Sequence, residues 1–155
     1  MKQAKLGSVV PDIKLESTAG SALKLSELRG RNVVLYFYPK DNTPGCTTEG
    51  QDFRAAYKKF DKLNTEIIGV SRDSIASHVK FKDKFKFPFE LVSDPDEKLC
   101  KAFDVIREKK LYGKTYLGVD RSTFVIDSKG VLRREFRGVK VKGHVDEVLD
   151  AVKAL

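Results

Sequence analysis

The order of apolar and polar segments predicts an α/β protein: a central mixed β-sheet covered by helices on both faces, with a β-hairpin at its N-terminal end. Three observations carry this expectation. A strand, helix, strand succession runs from Val33 to Ser71, an antiparallel hairpin lies between Arg121 and Arg137, and one apolar helical face closes the chain from Val145 to Leu155. With 155 residues, 41% hydrophobic and 34% charged, the chain is expected to form one domain over residues 1–155 with a full core. No repeat, low-complexity tract or internal linker divides it.

The elements follow in order. From Gly7 to Glu16 apolar and polar residues alternate around Pro11, as in an edge strand or an N-terminal hairpin, and Thr18-Ala19-Gly20-Ser21 makes a turn. Leu23, Leu25 and Leu28 lead through a short helical turn closed by Gly30. Val33 to Tyr38 is a β-favouring apolar run, read as a buried strand, and it stops at Pro39, which cannot donate to a ladder. Past a polar loop, Phe53, Tyr57, Phe60 and Leu63 fall at helical spacing, which puts Cys46 near the first turn of a helix. Glu66 to Ser71 is the next buried strand, and Arg72-Asp73-Ser74 caps a helix carrying Ile75, Val79 and Phe85. The crossover between these strands makes them a parallel pair. Phe89 to Val92 is strand-like, and residues 93–97 cap a helix with Leu99, Ala102 and Phe103 on its inner face. A polar stretch rich in lysine and glycine precedes the strand Arg121 to Asp127, which turns through Ser128-Lys129-Gly130 into a partner ending at Arg137. Val145, Val148, Leu149, Val152 and Leu155 then line one face of a closing helix.

The chemistry concentrates where the first central strand ends. A thiol in the first turn of a helix meets free backbone N–H groups and the positive end of the helix dipole, both of which favour thiolate. An isolated cysteine is more often a small buried hydrophobe. Pro44-Gly45 before Cys46 and Thr47-Thr48-Glu49 after it describe instead a loop entering a helix, the setting of a reactive thiol. Thr43 can turn its hydroxyl toward the same place, while Pro39 and Pro44 stiffen the loop and limit water access.

The pattern Pro39-x-x-x-Thr43-x-x-Cys46, set between Tyr36-Phe37-Tyr38-Pro39-Lys40 and Thr47-Thr48-Glu49, resembles the active-site signature of the peroxiredoxins, thiol peroxidases on a thioredoxin-like scaffold. The chain most closely resembles the Q-type subfamily, also called bacterioferritin comigratory protein. The likeness spans essentially the whole sequence and is tightest at residues 36–49 and 112–127. It implies a thioredoxin-like peroxiredoxin fold, reduction of hydrogen peroxide and organic hydroperoxides, and no metal or other cofactor. Cys46 would be the peroxidatic nucleophile, with Pro39 and Thr43 around it. The arginine of the matching Arg121-Ser122-Thr123-Phe124 segment would lie beside it, although by spacing alone an arginine entering a strand is usually a surface residue. Glu49 would either orient Arg121 or simply favour the helix N-terminus. Attack of thiolate on peroxide builds negative charge on the departing oxygen, so the Thr43 hydroxyl, the guanidinium and the N–H groups around Gly45 and Cys46 would serve as donors.

Two places depart from the subfamily. Its members carry a resolving cysteine where this chain has Gln51 or, in others, Lys82. Cys100 is the only other thiol, and its apolar neighbours Leu99 and Phe103 favour a buried structural role over a resolving one. A one-cysteine cycle is therefore expected, in which thioredoxin, glutaredoxin or glutathione reduces the Cys46 sulfenic acid; a Cys46–Cys100 cycle is the alternative. Val105-Ile106-Arg107-Glu108-Lys109 stands where relatives have Val-Trp-Gly-Glu-Lys, which bears on the surface beside the site and not on the thiol chemistry.

The remaining features bound the answer. The first residues, Met1 to Lys5, show no apolar segment of a signal peptide, no run is long enough to span a bilayer, and two distant cysteines fit a reducing, cytoplasmic setting. His78 and His144 stand at no metal-ligand spacing with the cysteines. A net charge of +8 attracts anions, yet Lys80, Lys82, Lys84 and Lys86 fit the wet face of a helix running into a strand, and no nucleic-acid motif accompanies them. A monomer is expected by the same resemblance. Two competing readings stand beside the peroxidase: a disulfide oxidoreductase, weakened because no Cys-x-x-Cys is present, and a binding or holdase module that keeps the fold without turnover.

Overall fold

A computed structural model describes residues 3–155; Met1 and Lys2, where the leader reading began, lie outside the described residues. At its centre is a five-stranded mixed sheet in the order β5-β4-β3-β8-β9. Its strands are β3 (Asn32–Phe37), β4 (Thr65–Ser71), β5 (Glu90–Ser93), β8 (Ser122–Ile126) and β9 (Leu132–Phe136). β3 runs parallel to β4 and β4 to β5, while β8 is antiparallel to β3 and to β9. Two helical crossovers explain the parallel half: α1 (Pro44–Lys62) joins β3 to β4, and α2 (Ile75–Phe85) joins β4 to β5.

Side chains on β3 alternate between the two faces, and each set seeds its own core. Val34, Tyr36 and Tyr38 pack with Phe53 and Phe60 of α1, Phe81 of α2, and Val148 and Val152 of α4 (His144–Lys153). Val33, Leu35 and Phe37 pack on the other face with Leu99, Cys100 and Ala102 of α3 (Lys98–Ala102) and with Val10 and Leu25 of the N-terminal segment. Each such fully buried large side chain contributes about 2 kcal/mol of transfer free energy. This is the mixed sheet with helices on both faces that the apolar pattern foretells, and it has the thioredoxin-like arrangement.

The N-terminal hairpin is smaller than the alternation from Gly7 suggests. Only β1 (Leu15–Glu16) and β2 (Ala22–Leu23) pair. Earlier residues lie along the start of β9, with Gly7 N–H donating to the Leu132 carbonyl and Leu132 N–H to that of Ser8. Ser74 caps α2, its hydroxyl accepting from Ser77 N–H, but the inner face of the helix is His78 and Phe81, while Val79 is 43% exposed. Val79 stands one position past His78, so the turn that buries His78 carries Val79 outward. The polar stretch after α3 is not a plain loop. It forms a second hairpin, β6 (Ile106–Leu111) with β7 (Lys114–Val119), reversed by Tyr112 and Gly113, both at positive φ. Leu111, Tyr112, Tyr116 and Leu117 are exposed on it. Among the described residues, no helix is long and apolar enough to cross a membrane.

Candidate active site

Thr43 is the N-cap of α1, Pro44 its first residue and Cys46 its third, in the first turn as the loop-to-helix pattern requires. Proline fits the first helical position because no intrahelical partner exists there for the N–H it lacks. The N–H groups of Gly45 and Cys46 likewise have no carbonyl one turn back within the helix. Thr43 does not cap them. Its hydroxyl donates to the Lys40 carbonyl at 2.8 Å, so the oxygen presents lone pairs rather than a proton to anything beside it.

Arg121 precedes β8 and is held at its backbone by Val139, whose N–H donates to the Arg121 carbonyl at 2.9 Å. Its guanidinium forks. Nη2 donates to Cys46 Sγ at 3.4 Å, and Nη1 to Glu49 Oε1 at 2.7 Å. Of the two readings left open for Glu49, orienting Arg121 is the one this ion pair supports; the Glu49 side chain is fully sealed and that of Arg121 is 16% exposed. Glu49 Oε2 has no protein partner. Burial pushes the Glu49 carboxyl up to about 7, against the opposing pull of Arg121. The Arg121 guanidinium is held above its ordinary value: burial acts to lower it and is outweighed by Glu49 and Cys46.

For Gly45, the motif supplies the N–H donor but not the reason that no side chain can stand there. A Cβ at this position would sit 3.1 Å from Arg121 Nη2, so glycine here clears the approach of the guanidinium to the sulfur. Its only sequence signal is the Pro-Gly pair. Lys109 of β6 donates to the Val119 carbonyl at 2.6 Å, and its ammonium is held below the ordinary value, first by burial and also by Arg121. Pro39 ends the strand run as expected, one residue after Tyr38, whose N–H still reaches the Val70 carbonyl at 3.0 Å.

Cys100 is not brought to this place. Cys46 belongs to the core on the α1 face and Cys100 to the core on the α3 face, so the sheet separates them. A disulfide requires Cα atoms within about 7 Å. Burial pushes the Cys100 thiol well above its ordinary value, and Asp94 adds to the effect. Of the positions where relatives carry a resolving cysteine, Gln51 is exposed on α1, and Lys82 pairs with Glu90 at 2.9 Å.

A model of the AhpC/TSA family matches residues 6–135. Peroxiredoxin Bcp of Bacillus subtilis is 51% identical over 149 residues, which cover 96% of this chain and 95% of that one. The protein of the same name from Xanthomonas campestris is 53% identical over 143 residues, covering 92% and 89%. Among solved structures, Xanthomonas campestris peroxiredoxin Q superposes with a TM-score of 0.88 at 53% identity, covering 92% of this chain and 90% of its own. A further structure, of the bacterioferritin comigratory protein of that organism, was studied for alkyl peroxide reduction with trapped intermediate and ligand; its TM-score is 0.88 at 52% identity, with the same coverage.

Proposed function

From the premise that this chain belongs to the AhpC/TSA family and is a thiol-dependent peroxidase, we propose that Cys46 is its peroxidatic nucleophile and that it works through a one-cysteine cycle. The observation that carries this reading is the guanidinium N–H directed at Cys46 Sγ, 3.4 Å away, in the first turn of α1. A cation and unpaired N–H groups there stabilise negative charge on the sulfur and on the oxygen that leaves.

In the first half-reaction the Cys46 thiolate attacks the terminal oxygen of a hydroperoxide. An S–O bond forms as the O–O bond breaks, the peroxide proton stays with the sulfenic acid, and the alkoxide or hydroxide leaves as alcohol or water after taking up a proton. Arg121 and the N–H groups of Gly45 and Cys46 face the developing charge. Thr43, its proton committed to Lys40, accepts from the peroxide O–H and so orients the attacked oxygen. Pro39 and Pro44 stiffen the loop that holds Thr43, and Glu49 keeps Arg121 in place. Loss of one such donor costs about 3 kcal/mol of barrier.

In the second half-reaction an external thiolate attacks the sulfenic sulfur, releasing water and leaving a mixed disulfide. A second thiol then frees Cys46 and departs as disulfide. Thioredoxin, glutaredoxin or glutathione fits this role, in a reducing cytoplasm and with the enzyme acting as a monomer. Hydrogen peroxide and small organic hydroperoxides are the substrates, in keeping with the alkyl peroxide reduction studied in the Xanthomonas campestris relative.

Mass spectrometry after one equivalent of peroxide, with a sulfenic-acid trap and peptide mapping, tests the proposal. An adduct on Cys46 with Cys100 free is expected. A Cys46–Cys100 disulfide would replace the one-cysteine cycle by a two-cysteine one, and an unmodified Cys46 would overturn the reading altogether.

A further inference from the structure

The β6–β7 ribbon stands beside the site and takes no part in the attack on peroxide. Its last residue, Val119, precedes Arg121 by two positions, and Arg72, the residue after β4, donates to the Leu117 carbonyl at 3.4 Å. Lys109 bonds back to Val119, and its ammonium, lowered first by burial, also feels Arg121 and Cys46. The ribbon therefore runs outward from the rim of the site to a tip at Tyr112, which is 95% exposed.

Register decides what each face presents. Opposed residues of an antiparallel pair share a face, and successive residues alternate between faces. Arg107 opposes Gly118, Lys109 opposes Tyr116 and Leu111 opposes Lys114, so these six stand on one face. Glu108, the one carboxylate of the ribbon, opposes Leu117 on the other. Gly118 is buried beneath the first face, and a Cβ there would meet Lys109 Cδ and Tyr116 Cε2, each at 3.2 Å. The glycine thus lets the lysine stem and the tyrosine ring close over the backbone. Leu111 and Tyr116 nevertheless remain 56% and 46% exposed. Arg107 is paired with Asp104 at 3.0 Å, whereas Lys109 and Lys114 face no carboxylate on the ribbon. The face is an apolar strip flanked by cations.

Such a strip fits an occupant that is apolar at its centre and acidic at its edge. A second copy of this chain does not fit, because each carries a net charge of +8 and would set cations against cations. The one-cysteine cycle, by contrast, requires a visitor at this rim: Cys46 is 2% exposed, and the other thiol lies across the sheet. The strip extends about 14 Å from Arg107 to Leu111, a span for a folded protein rather than for a tripeptide whose sulfur must reach Cys46.

We propose that this ribbon face is the docking surface of the reductant, and that the reductant is an acidic dithiol protein of the thioredoxin kind rather than a free small thiol. The inference rests on the reading of Cys46 as a nucleophile recycled from outside. One thiolate of the docked protein attacks the sulfenic sulfur of Cys46; an S–S bond forms, the S–O bond breaks, and hydroxide leaves as water after taking up a proton. The second thiolate then attacks the docked protein's own sulfur in that mixed disulfide. Cys46 is released as thiolate, reduced by two electrons, and the visitor departs as an internal disulfide.

The test follows re-reduction of peroxide-oxidised protein by a thioredoxin of net negative charge and, separately, by 2-mercaptoethanol, an uncharged small thiol. Lys114→Glu and Tyr116→Ser alter the exposed strip and none of the reacting groups. Each should slow the thioredoxin reaction by about tenfold, leaving oxidation by hydrogen peroxide and reduction by mercaptoethanol unchanged. In wild type the thioredoxin constant should fall as ionic strength rises from about 0.01 to about 0.15 M, and Lys114→Glu should flatten that dependence. Thioredoxin constants that move in neither variant, or that fall together with the mercaptoethanol constants, would overturn the docking surface; so would a wild type reduced by glutathione and not by thioredoxin. Wild type that floats with vesicles of equal parts phosphatidylcholine and phosphatidylglycerol, with flotation lost and thioredoxin constants kept in both variants, would make the face a lipid-binding surface instead. A wild-type Cys46 that peroxide leaves unmodified, or that ends joined to Cys100, would overturn the functional reading before any variant is compared, and the docking surface with it.

Discussion

Cys46 and Cys100 occupy the same position in their helices, the third residue of α1 and of α3, and both are sealed, at 2% and 0% exposure. What differs is the charge each one meets. Cys46 receives an N–H from Arg121, whereas the backbone of Cys100 donates to the Asp94 carboxylate at 2.8 Å and its thiol is pushed up by burial and by that carboxylate. Helix position and burial, the two properties most easily inferred from sequence, do not separate a nucleophile from a structural thiol. On the proposed assignment, the guanidinium brought in from just ahead of β8 does.

The largest effect should come from exchanging sulfur for oxygen at each site. Cys46→Ser should abolish peroxide consumption, while Cys100→Ser should retain turnover with an external thiol; wild-type-like activity in the first or collapse in the folded second would break the comparison. Cys100→Ala should lower stability by about 1 kcal/mol through lost packing, read as a fall in the urea midpoint, with turnover intact.

Next in size is the cation itself. Arg121→Met should slow oxidation of Cys46 about a hundredfold, read as the rate of sulfenic-acid formation. It should also destabilise the fold, because Glu49 is left buried without its partner. Adding Glu49→Gln should restore stability without restoring rate; recovery of both would show that Arg121 serves packing alone.

A subtler effect lies in the dependence of stability on pH, where two buried groups act against each other. The Glu49 carboxyl moves from 4.5 to about 7 on folding, so the native state holds a proton that the unfolded chain releases. Its contribution is complete below about 4.5 and is lost as pH rises through about 7. His144, 2.8 Å from the Thr123 hydroxyl, is lowered from 6.5 to about 4 by burial and then by Arg121. Its contribution is present above 6.5 and is lost as pH falls through about 4. Between these limits the slopes oppose. From pH 5 to 7.5, wild type should lose on the order of 2 kcal/mol relative to Glu49→Gln in denaturant titrations; parallel curves would mean that Glu49 is ionised throughout.

The central strands, α1 and the place of Cys46 were legible because each rests on local signals: an apolar run stopped by Pro39, a Pro-Gly entry, and helical spacing of Phe53 and Phe60. Contacts between segments far apart in sequence were not. Nothing around Arg121 says that Glu49 will fork its guanidinium, and the resemblance alone suggested the meeting. The β6–β7 hairpin was hidden because Arg107, Lys109, Lys110 and Lys114 dilute the alternation of apolar residues. His78 was weighed only as a metal ligand, since neither of its acceptors, Asp41 and the Val92 carbonyl, is near it in sequence.

In the proposed one-cysteine cycle, the sheet between the two sulfurs also sets how long oxidised Cys46 endures. An internal partner thiol would quench the sulfenic acid at a fixed first-order rate, whatever the surroundings held. With none in reach, its lifetime varies inversely with the concentration of outside thiol, and a second peroxide molecule competes for the same sulfur to carry it on to sulfinic acid. On that proposal the ratio of peroxide to thiol decides whether the protein cycles or is spent, and its capacity fails first when its supply of electrons runs low.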